Sequence, residues 1–254
     1  MTRKTILITG ATSGFGEATA RLFAKNDWQL ILTGRRQQRL DDLQQELGGS
    51  DKVHTCCFDI SDRIAVKQMI DSLPTAFADI DVLLNNAGLA LGLEPADTTD
   101  LDDWEKMVDT NIKGLMYCTR YVLPKMRERK QGYVLNIGSV AGNWPYPGGN
   151  VYGATKAFVK QLSLSLRADL LGSNIRVTNI EPGIAETEFS LVRFKDNDEA
   201  AGDVYQNTQA LTAEDIANTI WWLVNTPEHM NVTTMEVMPT QQATGPLAIY
   251  RKRD

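Results

Sequence analysis

Near the start of the chain the apolar run Thr5-Ile-Leu-Ile-Thr9 leads straight into Gly10-Ala-Thr-Ser-Gly14-Phe-Gly16, and an amphipathic segment follows. A buried strand that breaks at glycines and restarts as a helix restricts the fold more than any other feature of this sequence. The glycines let the backbone approach an anionic group such as a pyrophosphate. The helix start then offers free N–H groups and the positive end of its dipole. The spacing is G-x-x-x-G-x-G rather than G-x-G-x-x-G. Glycines turn many chains, so the motif takes its meaning from its place after the first strand.

The same rhythm continues along the chain. Short apolar runs predict strands at Thr5–Thr9, Gln29–Thr33, Val53–Phe58, Val82–Asn85, Tyr133–Ile137, Arg176–Ile180 and Thr233–Val237. Runs of this kind suit strands buried on both faces of a parallel sheet. Between them the pattern predicts helices near Phe15–Asn26, Arg36–Leu47, Arg63–Leu73, Leu101–Arg129, Val151–Leu171 and Ala213–Asn225, with Ser61 and Thr212 as N-caps. The β-then-α order implies an α/β fold, a Rossmann-like doubly wound parallel sheet of about seven strands with helices on both faces. The 254 residues fit one domain spanning 1–254. Two stretches escape the rhythm: 185–212, which reads as a substrate loop, and the tail 239–254.

Composition narrows the function classes. Asp plus Glu is 32 against 26 Lys plus Arg, a net charge of −6, which suits a soluble protein and not the coating of a nucleic-acid backbone. The basic start and apolar run of the N-terminus are too short for a signal peptide, and no stretch approaches a membrane span. Cys56, Cys57 and Cys118 form no spaced disulfide framework, so core filling in a reducing cytoplasm is expected. His54 and His229 have no partner at helical spacing and no Cys pair nearby, which leaves a metal site little to build on.

The second strand ends at Thr33-Gly34-Arg35-Arg36, with no acid between Gln29 and Leu40. An NAD-binding fold keeps an Asp or Glu here for the ribose 2′-hydroxyl. Guanidinium forks instead suit a 2′-phosphate, so NADP (NADPH) is expected. Arginine at a helix N-terminus opposes the dipole, so these two residues gain nothing locally.

Tyr152 and Lys156 stand four apart on one predicted helix and share a face. A phenol titrates near pH 10, and lowering it by about 3 units takes about 4 kcal/mol of differential stabilisation. Lys156 and an oxidised nicotinamide ring are candidate sources. Ser139 ends the fifth strand, at the sheet edge where open α/β folds bind ligands, and its hydroxyl can hold a substrate oxygen beside Tyr152.

With Thr9–Gly16, Asp59, Asn85-Asn-Ala-Gly88, Asn111, Ser139, Tyr152-Gly-Ala-Thr-Lys156 and Pro182-Gly183 in this order, the chain resembles the short-chain dehydrogenase/reductase family over nearly its whole length. The resemblance implies that Tyr152 is the acid/base and that Lys156 tunes it and holds the nicotinamide ribose. It implies that Ser139 orients the carbonyl and that Asn111, in the long fourth helix, holds a relay water. It implies a cofactor set of Gly10, Thr12, Ser13, Gly14, Phe15, Gly16, Arg35, Arg36, Asp59, Ile60, Asn86, Ala87, Gly88, Tyr152, Lys156, Pro182, Gly183, Ile184 and Thr187. It also implies a homodimer or homotetramer, paired through the long fourth and fifth helices.

The usual glycine pair after the last strand is absent; the chain reads Thr234-Met-Glu-Val-Met-Pro239-Thr. That segment, with Asn143–Asn150, Arg193-Phe-Lys195 and Trp221-Trp222, resembles the NADP-dependent 3-hydroxy acid (serine, L-allo-threonine) dehydrogenase branch and the related sulfoacetaldehyde reductases. Both branches handle a short carbonyl compound with a polar or anionic head. A 3-oxoacyl-carrier reductase and a silent nucleotide sensor are the rival readings. The substrate residues expected are Ser139, Tyr152, Asn143 and, for the anionic head, Arg193. The tail Tyr250-Arg-Lys-Arg253 is a second source of cations.

Overall fold

A computed structural model describes residues 3–195, 197, 202 and 204–245. Seven strands form a single sheet: β1 (Thr5–Ile8), β2 (Gln29–Gly34), β3 (Val53–Cys57), β4 (Val82–Asn85), β5 (Gly132–Ile137), β6 (Ile175–Pro182) and β7 (Thr234–Val237). Their order is β3-β2-β1-β4-β5-β6-β7, and every pairing is parallel. The order reverses direction between β1 and β4. The loops leaving those two strands therefore part on opposite sides, and a crevice opens at their C-terminal ends.

Strict alternation along each strand divides the core into two layers. Ile6, Ile8, Leu30, Leu32, Val82 and Leu84 face one side. There they meet Ala20 and Phe23 of α1 (Gly14–Lys25), Leu40 and Leu43 of α2 (Gln37–Glu46), and Ile216, Ile220 and Leu223 of a late helix, Ala213–Val224. Leu7, Ile31 and Leu83 face the other side, against Val66, Met69 and Ile70 of α3 (Arg63–Asp71) and Cys118, Val122 and Met126 of a helix at Leu115–Arg129.

The expected long helix Leu101–Arg129 is three pieces. α4 (Leu101–Val108) passes into a π-helical turn, Asp109–Gly114, before α5 (Leu115–Arg129). Periodicity does not register such a turn, because one extra residue per turn shifts the phase without ending the helix. The cap of α3 is Asp62, not Ser61: its carboxylate accepts from Ile64 N at 2.8 Å and Ala65 N at 3.1 Å, while Ser61 bonds Asp59. Thr212 caps the last helix as expected, in a reciprocal capping box with Asp215. β3 and β7 lie at the two edges of the sheet, so neither is buried on both faces. Cys57, the end of β3, is accordingly exposed and not core filling; Cys56 is half-buried and Cys118 fully buried.

α6 (Asn150–Asp169) carries Tyr152 and Lys156, and within the expected irregular stretch 185–212 a short helix forms, α7 (Glu188–Arg193), capped by Thr187. The last helix, Ala213–Val224, is α8. Part of 185–212 lies outside the described residues, as does 246–254 with Tyr250-Arg-Lys-Arg253. No described helix is long and apolar enough to cross a membrane.

An aromatic cluster ties α1 to α8. Phe23 is fully buried and sits edge-to-face with Trp28 and Trp221, each ring centroid 5.0 Å away. Truncation there leaves a cavity between a sheet and two helices that cannot collapse independently. Phe23→Ala is expected to cost about 3–5 kcal/mol, read as a lower urea midpoint at unchanged slope. A loss below about 1 kcal/mol, the scale of an exposed site, would mean that the cluster does not hold α1 to α8.

Candidate active site

Two loops meet at the switch point. Gly10 has φ +67°, and a Cβ placed on it would sit 2.9 Å from Ala87 Cα. A Cβ on Gly16 would sit 2.4 Å from Gly10 O and 2.6 Å from Asn86 Nδ2. Only glycine allows this approach. Asn86 Nδ2 donates to Thr9 O at 2.9 Å and to Gly10 O at 3.0 Å, and the Thr9 hydroxyl accepts from Asn86 N and Ala87 N, both at 3.0 Å. Ser13 precedes α1 without a side-chain cap, since its hydroxyl accepts from Arg36. The first-turn N–H groups of α1 are therefore uncapped beside a loop that leaves room for a phosphate, and these residues fit an anionic dinucleotide.

A cavity of about 710 Å³ runs along the C-terminal edge of the sheet. Of the residues expected from the sequence, it is lined by Gly10, Thr12, Ser13, Gly14, Phe15, Arg35, Arg36, Asp59, Ile60, Asn86, Ala87, Gly88, Ser139, Tyr152, Lys156, Pro182, Gly183, Ile184, Thr187 and Arg193. Gly16 stands behind it as a packing residue. Asn143 does not line it. Its amide donates to Glu181 at 2.8 Å and accepts from Lys160 at 2.7 Å, so the side chain is turned toward β6 and α6.

Asn111 sits in the π-turn and is buried. Its amide donates to Leu89 O at 2.8 Å and Thr155 Oγ1 at 3.1 Å, and its Oδ1 accepts from Leu89 N at 2.8 Å. It therefore ties the loop after β4 to α6. Lys156 Nζ, also buried, donates to Ile137 O at 2.8 Å and stands 5.8 Å from the Tyr152 ring centroid.

The sequence argument has Lys156 and an oxidised nicotinamide ring together favouring the Tyr152 phenolate; in the protein alone, burial acts in the opposite direction. Burial pushes the Tyr152 phenol up to about 12, outweighing the Ser139 hydroxyl and the Arg193 guanidinium, which pull it down. Burial likewise brings Lys156 down to about 8. Desolvation is the largest cause of both shifts. A phenol with a raised pKa is a standing proton donor at neutral pH.

Arg193 reaches the same place from α7. Its guanidinium carbon lies 5.5 Å from the Tyr146 ring centroid and 5.6 Å from that of Tyr152, and Nη2 donates to Tyr146 OH at 2.9 Å. Phe189 packs 5.7 Å from the Tyr152 ring. Sequence reasoning missed Tyr146, Phe189, Tyr205 and Gln242, which also line the cavity. Nothing in their local pattern distinguishes them. It also missed Arg39, although Arg36-x-x-Arg39 places both residues on one helical face. Among the described residues no His, Cys, Asp or Glu cluster could hold a metal.

The family model described as short chain dehydrogenase matches residues 4–198. The NADP-dependent 3-hydroxy acid dehydrogenase of Salmonella typhi is 56% identical over 247 residues, 97% of this chain and 99% of that protein. The serine 3-dehydrogenase of Rhizobium radiobacter is 53% identical over 248 residues, 98% of each. Among solved structures, the closed form of a serine dehydrogenase complexed with NADP+ superposes with TM-score 0.93 at 53% identity, over 98% of this chain and 100% of that one.

The raised phenol has a direct readout. In an ultraviolet titration of the ligand-free protein, the difference between wild type and Tyr152→Phe is expected to contain one phenol still protonated at about pH 10, ionising nearer 12. A difference phenol ionising below about pH 10 would mean that Lys156, not burial, governs it.

Proposed function

This chain belongs to the short-chain dehydrogenase family, and on that premise we propose that it is an NADPH-dependent oxidoreductase reducing a short aldehyde or ketone with an anionic head. The substrate class is the 3-hydroxy acid/semialdehyde or serine/allo-threonine type. One observation carries the reading: Tyr152, its Ser139 partner and the Arg193 guanidinium come together in the same cavity that Arg36 and the glycine loop line. Support also comes from relatives at 53–56% identity that are named NADP-dependent 3-hydroxy acid dehydrogenase and serine 3-dehydrogenase.

The loop Gly10–Gly16 and the first turn of α1 hold the pyrophosphate, Arg35 and Arg36 the 2′-phosphate, and Asp59 and Ile60 the adenine. Asn86, Ala87, Gly88 and Pro182–Thr187 flank the nicotinamide. When bound, the cofactor supplies the hydride that reduces the carbonyl. Ser139 donates a hydrogen bond to the carbonyl oxygen, and Tyr152 gives that oxygen its proton. Lys156 and a water held at Asn111 return a proton from solvent to the phenol. Reduction uses the protonated phenol; oxidation needs the phenolate and accelerates as pH rises.

Arg193, held by Tyr146, takes the substrate's anion. A fork of this kind accepts carboxylate or sulfonate oxygens alike, so reduction of sulfoacetaldehyde is the second reading. The chain works as one domain, 1–254, in the cytoplasm, as a homodimer or homotetramer.

Three measurements test this. NADPH is expected to show a far lower KM than NADH; equal values refute the cofactor assignment. Tyr152→Phe is expected to keep nucleotide binding and lose about 10²–10⁴-fold in kcat, the span of general acid catalysis. Arg193→Ala is expected to raise KM for an acidic aldehyde but not for a neutral one of similar size. An equal rise for both places the anion elsewhere.

A further inference from the structure

Each nitrogen of the Arg36 guanidinium is engaged. Nε donates to Thr12 Oγ1 at 3.1 Å, and Nη2 donates to Thr12 O at 3.0 Å, Thr12 Oγ1 at 2.9 Å and Ser13 Oγ at 2.8 Å. These contacts fix the fork against the glycine loop. The remaining nitrogen, Nη1, points at a carboxylate, Glu188 Oε2, at 2.9 Å. Arg39, one turn on along α2, repeats the arrangement: Nη1 donates to Thr12 O at 3.0 Å and to Glu188 at 2.7 Å and 3.0 Å. Two guanidiniums anchored on the same loop residue thus both donate through Nη1 to one anion. That anion comes from a different part of the chain, the first residue of α7. Arg35 takes no part; it faces Asp59, 3.8 Å away.

Glu188 and both arginines remain about two-fifths exposed. Ion pairs this wet contribute little and exchange readily. An ester phosphate carries more charge than a carboxylate and offers three acceptor oxygens to the same donors. Both anions cannot share the seat without repulsion. Thr12, Ser13, Arg36 and Glu188 also line the cavity, so a nucleotide entering there meets Glu188 directly.

We propose that Arg36 and Arg39 form one two-guanidinium seat for the cofactor's 2′-phosphate, that Glu188 is its built-in occupant, and that the two anions exchange on binding. Glu188 in this sense tempers the preference for a phosphate-bearing nucleotide, since its carboxylate competes with a 2′-phosphate for the two guanidiniums and not with a nucleotide that lacks one. Exchange also frees the start of α7, the helix that brings Phe189 and Arg193 against Tyr152. The proposal rests on the NADPH reading; it keeps Arg36, puts Arg39 in the place of Arg35, which faces Asp59, and adds Glu188.

The test is calorimetric binding of NADPH, NADH, adenosine 2′-monophosphate and adenosine 5′-monophosphate to the full-length parent, Glu188→Gln, Arg39→Ala and Arg39→Lys. Both positions are exposed enough for the three variants to keep the parent melting temperature. Glu188→Gln is expected to tighten NADPH and the 2′-monophosphate about fivefold, the equivalent of one surface ion pair, and to leave NADH and the 5′-monophosphate unchanged. Arg39→Ala is expected to weaken NADPH about tenfold, with Arg39→Lys partly restoring it. If the parent prefers NADPH but Glu188→Gln binds it no tighter, or Arg39→Ala binds it equally well, the exchange is overturned and the NADPH reading stands. If the parent binds NADPH and NADH equally, both fall.

Discussion

The joint between the loops that leave β1 and β4 holds this molecule's site in place. Thr9, Gly10, Gly16 and Asn86 touch at distances that no side chain at the two glycines would permit. With that contact made, the uncapped start of α1 and the Asn86–Gly88 turn face one crevice. The topology supplies the crevice, and the joint sets the height of its floor. The later elements then add walls: Ser139 after β5, Tyr152 and Lys156 from α6, and Pro182–Thr187 after β6.

Against that floor, the electrostatics of the proposed catalytic groups follow from dehydration. Tyr152 and Lys156 are both nearly out of solvent, and each is driven toward its neutral form. Lys156 stands 5.8 Å from the Tyr152 ring centroid, with its ammonium bonded to Ile137 O. The π-turn contributes by fixing Asn111 between Leu89 and Thr155, which ties the loop after β4 to α6.

Much of this was legible along the chain, for reasons that differ by element. β1, β2 and β4 could be read because residues buried on both faces leave an unbroken apolar run. The edge strands β3 and β7 follow no such rule, and Cys57 was misassigned to the core because sequence does not say which strand lies outermost. The helix Leu101–Arg129 read as continuous because a π-turn changes phase, not polarity. Ser61 and Asp62 are both acceptable caps, and only the backbone chooses between them.

The sequence by itself determined the alternation of strands and helices, the glycine turn, the absence of an acid after β2 and the order Ser139, Tyr152, Lys156. These are local patterns, set by side-chain periodicity and by the conformations that glycine alone reaches. Tertiary structure decided what depends on distance between remote segments. It turned Asn143 away toward Glu181 and brought Arg193 over Tyr152. It placed Glu188, 152 residues from Arg36 in the chain, on the guanidiniums of Arg36 and Arg39. It also set the sign of the Tyr152 shift, because the cost of burying a phenol is a property of everything packed around it and not of the lysine four residues away.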